Sequence, residues 1–291
     1  MKKVLILFCS FFLLSFFAVA QDMVPQKKEL TILSWNIKFL PRFLGHIKHY
    51  PMKRVPLIAQ KLIDNQADII VFQEAFDRSC NKKLKKLLTP YYPYCIGPAN
   101  QKGGFKISSG VMIMSKLPLK ELGTVDFKEC EKEDCMARKG ALLVETVFEG
   151  QRLQVLGTHL EAGGGRNLKT TQYVELAGLL DKFREDGVPQ FACGDFNTSS
   201  ADTVLYPRML SILHAEDGSV TGELQYTSDH LLNDMDSYNP DDRDVIDYVL
   251  YRGNGVKVSM TREVFRHLHR WSKKHQDLSD HFGVKAVLSF Q

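Results

Sequence analysis

Little in this 291-residue chain is present in excess, and each shortage excludes something. Basic and acidic side chains nearly cancel, 38 against 34 for a net charge of +4. A surface organised around a polyanion is therefore not its leading feature, although local basic patches exist. Six cysteines are scattered with no pair of C-x-x-C motifs, which argues against a structural zinc site. There is no internal repeat, no low-complexity tract and no Pro/Ser-rich linker, so a single domain from about Lys28 to residue 291 is expected. Beyond residue 20, no run is apolar enough to cross a bilayer.

The one long hydrophobic run opens the chain. Lys2 and Lys3 precede VLILFCSFFLLSFFAVA, and Ala18-Val19-Ala20 forms a small-x-small cleavage pattern. Residues 1–20 therefore read as a secretory leader cleaved before Gln21; the alternative, a membrane anchor, needs a run slightly longer than this one. The expectation is a soluble product, secreted or periplasmic, whose net charge drops to +2 once Lys2 and Lys3 are gone. Cys9 leaves too, so Cys80, Cys95, Cys130, Cys135 and Cys193 remain. An oxidising compartment favours one or two disulfides, with Cys130–Cys135 the closest pair and Cys193 buried in an apolar run.

Eight strand-like runs follow: LTILSWNI, ADIIVFQEA, SSGVMIMSK, GALLVETVF, RLQVLGTHL, VPQFACGDFN, VIDYVLYR and GVKAVLSF. Several are apolar throughout rather than alternating, the pattern of strands covered on both faces. Helical spacing appears over 52–65, 77–88 and 168–184. The expected class is α/β with mixed sheets.

Polar residues recur at the ends of these runs: Asn36, Glu74, His159, Asp195 with Asn197, Asp247, and Asp280-His281. Singly, each could be a cap, a turn or a core histidine. Together they describe a site held at one rim of a rigid scaffold. Asp195 and Asn197, if extended, project to one side, and Gly194 lets a backbone or ligand approach closely. A second S-D-H triplet, Ser228-Asp229-His230, lies in an Asp-rich loop with no β run after it and reads as a decoy.

The ordered set S-W-N, Q-E, G-T-H-L, G-D-F-N, I-D-Y-V-L and S-D-H resembles the endonuclease/exonuclease/phosphatase superfamily, the DNase I-like fold, over about residues 30–290. The resemblance implies a four-layer sandwich: two mixed β-sheets packed face to face, helices on both outer sides, and Mg²⁺-dependent phosphoester hydrolysis at one end. Within the superfamily, Glu74-Ala75-Phe76-Asp77, SSGVMIMSKLPL, FKECEKEDCMARKGALLVE and THLEA are similar to segments of neutral and bacterial sphingomyelinases. Two departures stand out. Lys169 replaces an expected arginine, which keeps charge but loses the bidentate fork. The interval MTREVFRHLHRWSKKHQDL is basic where secreted sphingomyelinases carry an apolar hairpin; it is either a solvated charged face or an attractor of anionic head groups.

The resemblance also implies roles. Glu74 and Asn36 hold Mg²⁺, with Mn²⁺ or Co²⁺ as substitutes, and Asp280 lies beside it. His281 is the general base, oriented by Asp247; Asp195 positions the water; Asn197 and His159 donate to phosphoryl oxygens; and Lys139, paired with Asp134, engages substrate. The expected reaction converts sphingomyelin to ceramide and phosphocholine. The expected partners are sphingophospholipids in membranes or micelles, reached by peripheral contact, with no stable nucleic-acid partner and a monomeric chain. The alternatives are a nuclease, a phosphoinositide phosphatase or a hydrolase of another sphingophospholipid such as ceramide phosphoethanolamine.

Overall fold

The computed structural model describes residues 29–41, 49–101, 106–236 and 239–290; the expected leader lies outside them. Strands are numbered along the chain. At the centre of a seven-stranded sheet, β1 (Leu30–Phe39) and β2 (Ile69–Ala75) run parallel. Beyond β1 lie β15 (Gly283–Phe290), β14 (Val258–Phe265) and β10 (Ser219–Thr221); beyond β2 lie β4 (Met112–Ser115) and β3 (Tyr94–Ile96). The second sheet orders β5 (Lys120–Asp126), β6 (Gly140–Phe148), β7 (Gln151–His159), β8 (Gln190–Asp195), β13 (Asp247–Arg252) and β9 (Glu216–Asp217), with β7 and β8 its parallel pair. Both sheets are mixed, as the apolar runs predict.

Continuous apolar runs are explained by what covers each face. From β1, Ile32 packs between the sheets with Ile69, Val71, Val155, Phe191 and Val249, while its neighbour Leu33 faces outward. There Leu33, Ile70 and Phe72 meet α1 (Pro51–Asn65) and α2 (Arg78–Leu88) through Val55, Ile58, Leu62 and Leu84. On the other side, Leu143, Leu156 and Tyr248 meet α3 (Arg166–Lys182) and α4 (Leu205–Leu213) through Leu176, Leu180 and Met209. The order helix, sheet, sheet, helix is the expected four-layer sandwich. Each fully buried aliphatic side chain contributes about 1.5–3 kcal/mol against exposure, so the three apolar layers dominate the stability.

Local signals set the helix ends. Pro51 opens α1, and the Asp77 side chain accepts from Cys80 N at 2.8 Å to cap α2. Several elements escape the sequence reading, among them the outer strands β3, β5, β9 and β10, strand β14 and helix α4. Helix α4 is a nine-residue segment with Pro207 in its first turn, too short to display a period. Strand β14 runs into the interval read as a charged face or an attractor of anionic head groups, and was hidden because Arg262 occupies an inward position there; Asp217 pairs with it at 2.6 Å. The Cys130–Cys135 disulfide is present, and Cys193 is buried and free. Among the described residues no helix is long and apolar enough to cross a membrane.

Gly194 answers to a neighbouring strand rather than to a ligand. It pairs with Thr158 across β7 and β8, and a Cβ there would meet the Thr158 carbonyl oxygen at 2.1 Å. That contact is backbone and cannot swing aside. Gly194→Ala is therefore expected to lower the melting temperature by about 5–10 °C, the scale of a 2–3 kcal/mol backbone clash in a domain this large. Calorimetry checks it; an unchanged melting temperature would show that the strands can part at no cost.

Candidate active site

The parallel pairs bring their C-terminal ends to the same rim. Asn36 and Glu74 lie near the C-terminal ends of β1 and β2, while His159 and Asp195 end β7 and β8 in register. Asp247 begins β13 opposite Asp195, and His281 precedes β15. The Asn36 carboxamide spans the sandwich: its Nδ2 donates to Glu74 Oε1 at 3.0 Å and to Asp195 Oδ2 at 3.1 Å. All eight sequence-predicted strand-end residues thus gather at one end of the fold.

Three non-glycine residues here adopt left-handed backbone: Lys38 (φ 47°), Glu74 (φ 54°) and Asn197 (φ 45°). Such conformations cost roughly 1–3 kcal/mol each and persist where surroundings over-determine them. For Asn197 this corrects the extended geometry expected from sequence. The chain turns after Asp195: Asn197 N donates to Asp195 Oδ1 at 2.9 Å, and Asn197 Nδ2 donates to Leu160 O at 3.1 Å.

His281 Nδ1 lies 2.9 Å from Asp247 Oδ2, and its Nε2 lies 3.8 Å from Asp195 Oδ2. Burial opposes charge on this ring, but Asp247 and Asp195 raise it well above the usual histidine range. Burial and then Asp247 push Asp195 up to about 7. The cluster therefore holds protons more tightly than its groups would in water, and neutralising its carboxylates would release His281 as a base. His159 is the opposite case. Burial, Lys139 and His281 drive it well below its usual range, so it is a neutral imidazole. Its Nε2 faces Lys139 Nζ at 3.1 Å and Asp195 Oδ2 at 3.5 Å.

Lys139 is a hub. Besides His159 it contacts Asp134 Oδ2 at 2.9 Å and Leu160 O at 2.9 Å, which engages all three of its N–H groups. Lys38 is a group the sequence reading missed, although it stands two residues past Asn36. It pairs with Asp280, which also accepts from Ser279 Oγ. Burial works against the Asp280 charge, yet Lys38 and His281 hold it well below the usual carboxylate range. Arg54 was missed as well. It sits on the apolar stripe of α1 with Ile58 and Leu62, and its guanidinium donates to Ile37 O at 2.8 Å and Leu278 O at 2.6 Å. A charge at a core-facing helical position was the available signal.

The donor set fits a hard divalent cation. Glu74 Oε2 and Asp247 Oδ1 are buried and have no hydrogen-bond partner. An acceptor shut from water is costly unless a donor or cation satisfies it. The ligand atoms of Asp195, Asp247 and His281 also lie within 4.8 Å of one another, close enough to hold a metal ion. Glu74, Asp195 and His281 floor a cleft of about 340 Å³ that also contains Lys139 and Asn197, with Phe76, Ile107 and Met136 forming an apolar wall. His230 stands apart, 3.7 Å from Asp236, although Ser228 bridges to the His281 backbone. Near the rim, Arg266 chelates Asp277 at 2.7 Å through both contacts, so part of the basic interval is neutralised internally. Trp271 packs on His275 and donates to Asp277 O at 2.6 Å.

A model of the Endonuclease/Exonuclease/phosphatase family matches residues 33–281. Sphingomyelinase C 2 of Leptospira interrogans serogroup Icterohaemorrhagiae serovar Lai is 28% identical over 234 residues, 72% of this chain and 37% of that protein. This chain thus spans little more than a third of that relative's length. Sphingomyelinase C of Bacillus cereus is 26% identical over 314 residues, covering 94% of this chain and 92% of that one. Among solved structures, a double mutant of beta toxin from Staphylococcus aureus with bound magnesium ions superposes with a TM-score of 0.78 at 23% identity, covering 89% of this chain and 99% of that one.

Because Asp247 holds His281 charged, Asp247→Asn is expected to move the acid limb of the pH–rate profile to lower pH. The maximal rate should fall by about 10²–10⁴, the scale seen when a base loses its orienting carboxylate. An unmoved limb in the pH profile would count against this pairing.

Proposed function

The chain belongs to the endonuclease/exonuclease/phosphatase family, and within it we propose an exported, Mg²⁺-dependent phosphodiesterase that hydrolyses sphingomyelin to ceramide and phosphocholine. One observation carries the reading. The cleft sets an oriented histidine and an unpartnered carboxylate oxygen beside an apolar wall, suited to a phosphodiester carrying a lipid. The sphingomyelinases among the relatives support the same substrate. The leader pattern and the Cys130–Cys135 bridge support export.

A phosphodiester resists attack because its negative charge repels nucleophiles and its leaving alkoxide is poor. Glu74, aimed by Asn36, would hold the magnesium ion, which when bound neutralises charge on the phosphate and its leaving oxygen. His281 Nε2 faces the cleft and, in its unprotonated form, takes the proton as water attacks phosphorus, while Asp247 keeps the ring aligned and stabilises the imidazolium formed. Asp195 accepts from the incoming water. Asn197 keeps one amide N–H for a phosphoryl oxygen, since the other is committed to Leu160 O. Lys139 and His159 brace each other along the same wall. Asp280, clamped by Lys38, supports the site electrostatically from beside Glu74. The phosphorus–oxygen bond to ceramide then breaks.

The test is a substrate panel of sphingomyelin, ceramide phosphoethanolamine, phosphatidylcholine, a phosphoinositide and plasmid DNA, each with and without EDTA. Phosphocholine release from sphingomyelin that EDTA abolishes is expected; DNA nicking alone would overturn the lipid reading. In the same assay His281→Ala and Glu74→Ala should each lose at least about 10² in turnover with the fold intact. His230→Ala should stay within about twofold of the parent, as expected for a side chain outside the cleft. A loss there matching His281→Ala would mean the wrong S-D-H had been chosen.

A further inference from the structure

Two carboxyl groups touch in the wall behind Lys139. Asp134 sits in the short 3₁₀ turn Lys132–Met136, closed by the Cys130–Cys135 bridge, and its Oδ2 accepts from Lys139 Nζ at 2.9 Å and Ala162 N at 2.8 Å. Glu161, two residues past the end of β7, is 1% exposed. Its Oε1 accepts from Glu131 N at 3.0 Å, while Oε2 is buried with no donor, and the amide of the very next residue, Ala162, is the one that Asp134 holds. If both were ionised, like charges would meet where water is excluded. Asp134 has an ammonium and an amide to keep it charged, whereas Glu161 has one backbone amide.

We infer that Glu161 is a protonated carboxyl that donates to Asp134, and that this proton positions Asp134, Lys139 and the disulfide-closed turn against the cleft. Glu161 is a positioning residue, acting through Asp134 on Lys139 and His159. Its electrostatics agree. Burial and then Asp134 outweigh the Glu131 amide and push Glu161 up to about 7, whereas Lys139 and the Ala162 amide draw Asp134 below its usual range against burial.

The charged groups facing Glu161 are few. Asp134 approaches from the turn and Lys139 from the start of β6. From α3, Lys169 donates to the Glu161 carbonyl oxygen, and burial pushes that ammonium down to about 8. The Glu131 carboxylate lies over Gly163, and Gln172 contributes only a neutral acceptor to Glu161 N at 3.1 Å. Because the Glu161 value is raised by folding, its support is complete below the ordinary glutamate range. That support is lost as pH rises through about 7.

The experiment compares the full chain with Glu161→Gln and Glu161→Ala by amide hydrogen exchange over residues 127–139, corrected for intrinsic rates, from pH 5.5 to 8.5. This readout does not depend on the proposed sphingomyelin activity, so the two readings can fail separately. Protection in the parent chain should fall about fivefold or more across pH 7, the lower bound set by a like-charge contact screened as fully as in water. Glu161→Gln keeps a donor aimed at Asp134 at every pH and should stay flat and protected. Glu161→Ala, with neither donor nor charge, should be flat and loosened. A parent profile without the fall overturns the inference. So does a fall that survives in Glu161→Gln, which would assign it to Lys169.

Discussion

The bond from Asn36 to Asp195 is the interaction on which the site depends. Asn36 lies near the C-terminal end of a central strand of one sheet and Asp195 ends a central strand of the other, and their side chains meet at 3.1 Å. The same carboxamide holds Glu74, so one residue sets the separation between the carboxylate suited to a cation and the carboxylate beside the base. The intersheet core delivers these strands with little freedom, because close-packed interiors do not slide continuously. Gly194 then allows β7 and β8 to run close enough for His159 and Asp195 to sit side by side.

Around that bond the protein buries cations as well as carboxylates. Arg54, Lys139 and Lys169 are each at most 5% exposed, and each spends donors on backbone carbonyls. Carbonyl acceptors satisfy a buried ammonium or guanidinium without cancelling its charge. Burial, Lys139, His281 and Lys169 keep His159 neutral, while Asp247 and Asp195 outweigh burial and keep His281 charged. Two histidines in one cleft are thus set to opposite protonation states by burial and by which charges face each ring.

Much of this was legible in the sequence because strand-end chemistry survives in one dimension. Glu74 after IIVFQ, His159 after LQVLGT and His281 before a final β run announce themselves as polar groups closing apolar strands. Asn197 was placed correctly but oriented wrongly, since its left-handed backbone depends on tertiary contacts with Asp195 and Leu160. Lys38 was illegible for a related reason, its partner Asp280 lying over two hundred residues away, and the core-facing position of Arg54 gave no hint of Leu278, equally remote. Strand β14 was hidden by Arg262, whose inward position makes sense only once Asp217 is beside it.

The chain has two tryptophans, and both stand near this cleft. Trp35 is 2% exposed beneath it, its indole N–H bonded to the His281 carbonyl oxygen at 2.9 Å, and Trp271 braces the loop that leads to Asp280. Intrinsic fluorescence therefore originates at the catalytic end of the sandwich rather than throughout its interior. Emission is a built-in optical probe of ligand entry, reading the rim before it reads global unfolding.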